Sequence, residues 1–166
     1  ADAVWLSDET TIGAHPDLAS QYLGEICEVA EEHYDEYARS YDVETSHEMH
    51  DLIAKGVVSS ADDLDVKVIV AATMSGFTAQ KISNLKPDAY ILAPVPNERV
   101  ARRLSLNWGV YPVVTPEYDS TDELVTDGVN RAKEFMDLNK GDKIIITGGF
   151  PNTGLKTTNF MKIEEI

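Results

Sequence analysis

Two short stretches of this chain gather the residue types that hold phosphate groups. The first is Thr73-Met74-Ser75-Gly76-Phe77-Thr78, which follows an apolar run and opens a helical pattern. N–H groups at the start of a helix have no partner within it and sit at the positive end of its dipole, so they attract anions. The hydroxyls of Thr73, Ser75 and Thr78 add donors. The same residues also make an ordinary helix start with Ser75 as its cap. The second stretch runs Gly148-Gly149-Phe150-Pro151-Asn152-Thr153-Gly154-Leu155-Lys156-Thr157-Thr158-Asn159. Gly149 and Gly154 allow backbone amides to converge on an anion, while Asn152, Lys156 and Thr157 bring donors and a charge. A long turn between antiparallel strands has the same composition. Neither stretch carries a Walker A or dinucleotide glycine pattern, which argues against nucleotide hydrolysis.

Other candidates carry less chemistry. His47 and His50 lie three apart beside Glu48 and Asp51, a spacing a helix could offer to a metal. A solvated helix face has the same pattern, and no metal site is assigned. Cys27 falls beside an apolar stripe and reads as core. Ser7 and Glu9 have no histidine partner in view, and no nucleophile elbow is present, so a hydrolase lacks support.

The elements that must position the two stretches follow from periodicity. Residues 67–72, 89–93, 110–114 and 143–147 are apolar runs of strand length, and residues 159–163 form a fifth. Helical patterns over about 75–85, 97–106 and 121–138 separate the first four, whereas only the glycine-rich stretch separates the last two. That alternation implies a parallel sheet with helices on both faces and an antiparallel fifth strand. Ligands of such sheets bind beyond the carboxyl ends of the strands, where both stretches lie. Upstream, Asp17 reads as the cap of a helix whose apolar positions are Leu18, Tyr22, Ile26, Val29, His33 and Tyr37, and a second helix is expected over about 46–60. Before them, residues 3–6 read as a buried strand with no neighbour to pair with, as though cut from something longer.

Composition bounds the function. Net charge is −15. Residues 1–65 hold 17 acids and two bases, and the remainder holds 12 of each, so the second half is neutral enough to receive an anion. The acidic total argues against a nucleic-acid partner. One cysteine excludes an internal disulfide, and no apolar run reaches the ~18 residues that span a bilayer, so a cytoplasmic protein is expected.

The motifs then identify a family. Asp2-Ala3-Val4-Trp5-Leu6-Ser7-Asp8-Glu9-Thr10 resembles the DAVMLSGETA motif that ends the catalytic barrel of pyruvate kinases. Pro96-Asn97-Glu98-Arg99-Val100-Ala101-Arg102-Arg103-Leu104 and the Trp108-Gly109-Val110-Tyr111-Pro112 that follows resemble the family's TPNERVARxLxLxWGVxPV. Lys140-Gly141-Asp142 and Thr157-Thr158-Asn159 match in order, so the resemblance covers essentially the whole chain.

The resemblance implies a three-layer α/β/α sandwich with a five-stranded mixed sheet of order 3-2-1-4-5, strand 5 antiparallel. Residues 1–16 would be the tail of the (β/α)8 barrel and 17–166 the C-terminal domain with its leading helices. The parent reaction it implies is transfer of a phosphoryl group from phosphoenolpyruvate to ADP, with magnesium and potassium held by earlier barrel strands. The chain alone is therefore expected to be inactive, with Ser7 and Glu9 as supporting groups only. It further implies a homotetramer and an effector site for a sugar phosphate. Thr73, Met74, Ser75, Gly76, Phe77 and Thr78 would cradle a phosphate, and Gly149, Asn152, Gly154, Lys156 and Thr157 would close over the sugar. Met74 stands where some members have lysine, Asp8 replaces a glycine, Lys156 replaces a glycine of many bacterial members, and Leu124 replaces an effector-binding arginine. The effector could thus be another phosphosugar or AMP, or there could be none. A stand-alone phosphosugar-binding module of the same fold is the competing reading.

Overall fold

The computed structural model describes residues 2–33, 48–149 and 158–166. The chain divides into two compact units, one reaching Thr45 and the other running Ser46–Ile166 with Asp2.

In the first unit, α1 is Asp8–Thr11 and α2 is Pro16–Glu32. Pro16 takes the first helical position, where its missing N–H costs nothing. The helix therefore starts one residue ahead of Asp17, which lies in its first turn rather than capping it. The helix ends at Glu32, with His33 at its C-cap. Tyr37 lies outside the described residues. The expected apolar stripe is present, yet Leu18, Tyr22, Ile26 and Val29 are all exposed. The strand expected at residues 3–6 is absent: no element forms there, and Trp5 is 85% exposed. An extended segment needs a neighbour for its N–H and C=O groups, and among the described residues none pairs with it.

The second unit opens with α3, Met49–Asp63, followed by β1 (Val68–Ala71), α4 (Phe77–Ser83), β2 (Tyr90–Val95), α5 (Glu98–Leu104), β3 (Val110–Val114), α6 (Thr121–Phe135), β4 (Lys143–Gly148) and β5 (Phe160–Glu165). The sheet order is β3-β2-β1-β4-β5, parallel except for the β4–β5 pair. Asn97 caps α5 by accepting from the Val100 amide, and Ser120 caps α6 by accepting from Glu123.

Side chains alternate between two cores, as strand geometry requires. Ile69, Ala71, Ile91, Ala93 and Ile145 face α3, α4 and α5. Val68, Val70, Leu92, Ile144 and Ile146 face α6. Both faces being covered explains why the strands read as unbroken apolar runs. The two edges differ. Gly109 and Thr115 bond to β2, so the even-numbered residues of β3 turn their backbone outward, and one of them is Pro112, which has no N–H. No proline lies in β5.

Candidate functional site

From β1 the chain winds outward through β2 to β3, then returns on the other side of β1 as β4. Strands β1 and β4 therefore flank the point where strand order reverses, which opens a crevice at their carboxyl ends. Residues 73–78 leave β1 there, and Gly149 leaves β4 there.

The β1 loop has a defined shape. Pro94 has no N–H to extend the β1–β2 ladder, whose register stops at Val70↔Leu92, although its carbonyl still accepts from Thr73 N at 3.0 Å. Thr73 is buried, and its hydroxyl accepts from Gly76 N at 3.0 Å. Gly76 has φ +88, a left-handed conformation that suits glycine, and a Cβ there would lie 3.1 Å from Arg103 and from Leu104. The Arg103 guanidinium donates to the Ser75 carbonyl. Met74, Ser75 and Phe77 are exposed. Helix α4 thus starts at Phe77 with Gly76, rather than Ser75, at the cap position.

The two loops are joined. Thr78 Oγ1 and Thr158 Oγ1 lie 2.6 Å apart, both buried, across 80 residues of sequence. On the β4 side, Gly148 packs so closely that a Cβ would lie 3.1 Å from the Ala72 carbonyl oxygen, and the Thr147 hydroxyl donates to the Phe160 carbonyl at 2.7 Å. Thr73, Met74, Ser75, Gly76, Phe77, Thr78 and Gly149 therefore gather at one sheet edge. Asn152, Gly154, Lys156 and Thr157 lie outside the described residues. Leu124 is buried in the core beneath α6 and offers no donor. Ser7 and Glu9 lie in the first unit, where Glu9 accepts from the Ser7 amide.

Two contacts went unread in the sequence. Arg103 sits in a motif legible only as a helix start, and Thr158 pairs with a residue too distant for any local pattern to show. A second concavity, an open cleft of about 600 Å³ lined by Tyr118, Glu123, Asp127 and Arg131 among others, shares no lining residue with the loops. There Tyr118 donates to Asp127 at 2.6 Å, and Arg131 Nε donates to the same oxygen at 2.5 Å. Burial, with the Asp127 carboxylate adding to it, pushes the Tyr118 hydroxyl up to about 12. Among the described residues no three His, Cys, Asp or Glu side chains gather as a metal site, and no helix is long and apolar enough to cross a membrane.

The geometry defines a class: a doubly wound α/β domain with paired loops at its switch point. Residues 51–164 match the family model described as pyruvate kinase, alpha/beta domain, and the chain belongs to the pyruvate kinase family. It is 34% identical to the pyruvate kinase of Clostridium acetobutylicum, over 99% of this chain and 35% of that protein. It is 43% identical to the pyruvate kinase of Staphylococcus aureus strain USA300, over 98% of this chain and 28% of that one. Among solved structures, a pyruvate kinase from Cryptosporidium parvum superposes with a TM-score of 0.77 at 30% identity, covering 96% of this chain and 32% of the other. The chain thus spans about a third of the length of the relatives it matches.

Proposed function

We propose that this chain is the regulatory and oligomerisation portion of a pyruvate kinase, with a phosphorylated effector held between the β1 loop and the β4–β5 loop. The observation that carries the reading is the Thr78–Thr158 hydrogen bond, which ties both loops to one crevice at the switch point. Ser75 and the first-turn amides of α4 are the donors assigned to a phosphate, while Thr78 serves mainly to hold the loops together. Lys156 and its neighbours would close over the remainder of the ligand.

In this reading phosphoryl transfer from phosphoenolpyruvate to ADP belongs to the longer parent protein. Its magnesium and potassium are assigned to residues of the parent's barrel outside this chain. Residues 1–16 are assigned to the last strand of the parent's barrel, and the exposed stripe of α2 to contact with the parent's other domains. Copies associate through this domain, with β5 as the edge open to another strand, and the setting is cytoplasmic.

Calorimetry tests the effector assignment. The chain is titrated with fructose 1,6-bisphosphate, ribose 5-phosphate, glucose 6-phosphate and AMP, and one of them should bind. Ser75→Ala should weaken that binding by about 1–3 kcal/mol, the contribution of a hydrogen bond to a charged group. Binding by none of the four, or binding unchanged in Ser75→Ala, refutes it. A coupled assay should detect no phosphoenolpyruvate-dependent ATP formation by the chain alone.

A further inference from the structure

One side-chain cluster outside the two loops grips the first of them. Asp51, in the first turn of α3, pairs with Lys81 of α4 at 2.7 Å and lies 3.6 Å from His50 Nε2. The His50 ring meets Phe77 edge-on with centroids 4.8 Å apart, and Lys81 Nζ stands 5.4 Å from the centre of the same ring. A single carboxylate thus sits beside two side chains that both hold Phe77, the residue that follows Gly76 in the loop. The pair is partly shielded, with 18% of the Asp51 side chain and 32% of the Lys81 side chain exposed, so it is less screened than an ion pair in open water. From elsewhere Arg103 holds the Ser75 carbonyl. The loop is therefore held on both sides of its left-handed glycine.

We propose that Asp51 is a positioning residue for the loop 73–78. Through Lys81 and His50 it fixes the Phe77 ring, and through that ring it keeps the Gly76–Phe77 backbone in one conformation before any ligand arrives. A loop ordered in advance loses less freedom on binding than one that must be ordered by its ligand. The effect on affinity rests on the effector reading given above; the effect on the loop does not.

Amide NMR spectra of the full 166-residue chain separate the two. In Asp51→Asn the amides of Ser75, Gly76 and Phe77 should move, Lys81→Gln should move them in the same direction, and the double variant should add little. Asp51→Glu should restore them toward their original positions. Asp127→Asn, a charge removed from α6 on the opposite face of the sheet, should leave them in place. Titrated fructose 1,6-bisphosphate should bind Asp51→Asn about three- to tenfold more weakly, toward the lower end of what is lost when coupled contacts are cut. Loop amides that coincide with the original in both Asp51→Asn and Lys81→Gln overturn the proposal. Should Asp51→Asn not fold, Lys81→Gln alone carries the same test, because Lys81 is the more exposed partner of the pair. Amides that move while bisphosphate binds with unchanged affinity overturn the link to binding. Amides that move when neither protein binds fructose 1,6-bisphosphate, ribose 5-phosphate, glucose 6-phosphate, AMP or inorganic phosphate uphold the positioning role and refute the effector site.

Discussion

The Thr78–Thr158 contact can be tested as a closed energetic cycle. Each hydroxyl is buried, with 6% and 3% of the residues exposed, and each is the partner of the other. Valine is the wrong probe, since two methyl groups cannot occupy the 2.6 Å that two oxygens share through a proton. Alanine removes the hydroxyl together with one buried methyl group, worth about 0.8 kcal/mol. It also leaves the opposite hydroxyl buried without a partner, at a cost of about 1–3 kcal/mol. Either single variant should therefore lose about 3 kcal/mol, which lowers the melting temperature of a chain this long by about 6–12 °C. The double variant loses two methyl groups but strands no hydroxyl, so it should be no less stable than either single one. Urea melts of the four proteins give the coupling energy, expected at about 3 kcal/mol in favour of the double variant. If the double variant instead loses the sum of the two single losses, the hydroxyls do not depend on each other and the join between the loops is not as described.

Three further outcomes are expected. Gly76→Ala places a side chain at φ +88 and a Cβ 3.1 Å from Arg103 and Leu104, so it should destabilise the domain by about 1–2 kcal/mol or more in the same melts. Gly148→Ala brings a Cβ to 3.1 Å from the Ala72 carbonyl oxygen, where backbone must give way, and should cost about 1–3 kcal/mol. Tyr118 should ionise only near pH 12, above the ordinary value of 10.0; its contribution to stability is full below pH 10 and is lost as pH rises toward 12. Absorbance titration of tyrosinate should show one late step that Tyr118→Phe removes, and a Tyr118 that titrates with the others would refute its half-buried bond to Asp127.

What the sequence made legible was whatever depends on local pattern. The parallel strands β1, β2 and β4, buried on both faces, read as continuous apolar runs, and residues 110–114 appear as a strand with the same bounds in the structure. The lack of a helix between β4 and β5 was enough to make the last strand antiparallel. The carboxyl-end placement of residues 73–78 and Gly149 followed from the same alternation. Pairing across distance was not legible. Nothing near Thr78 points to Thr158, and the grip of Asp51 on Phe77 through His50 and Lys81 exists only because α3 packs beside α4. Residues 3–6 differ for a related reason: their apolar character favours a strand, but a strand forms only where a neighbour receives its hydrogen bonds. At α2 the proline two residues after Ala14 outweighed the capping preference of Asp17.

The unlike edges of the sheet limit how many copies can join through it. At β3, Pro112 removes a donor from the outward row, so an incoming strand meets a gap in the ladder. At β5, no proline interrupts the row. A sheet with two receptive edges can add copies without end and grow into a fibre. With one, the receptive edge can meet only its own kind, and two such strands running past each other would form a two-fold pair that consumes both. Pro112 thus leaves the β3 edge a poor template for a further strand, and a β-branched residue such as valine in its place would restore the missing donor to that row.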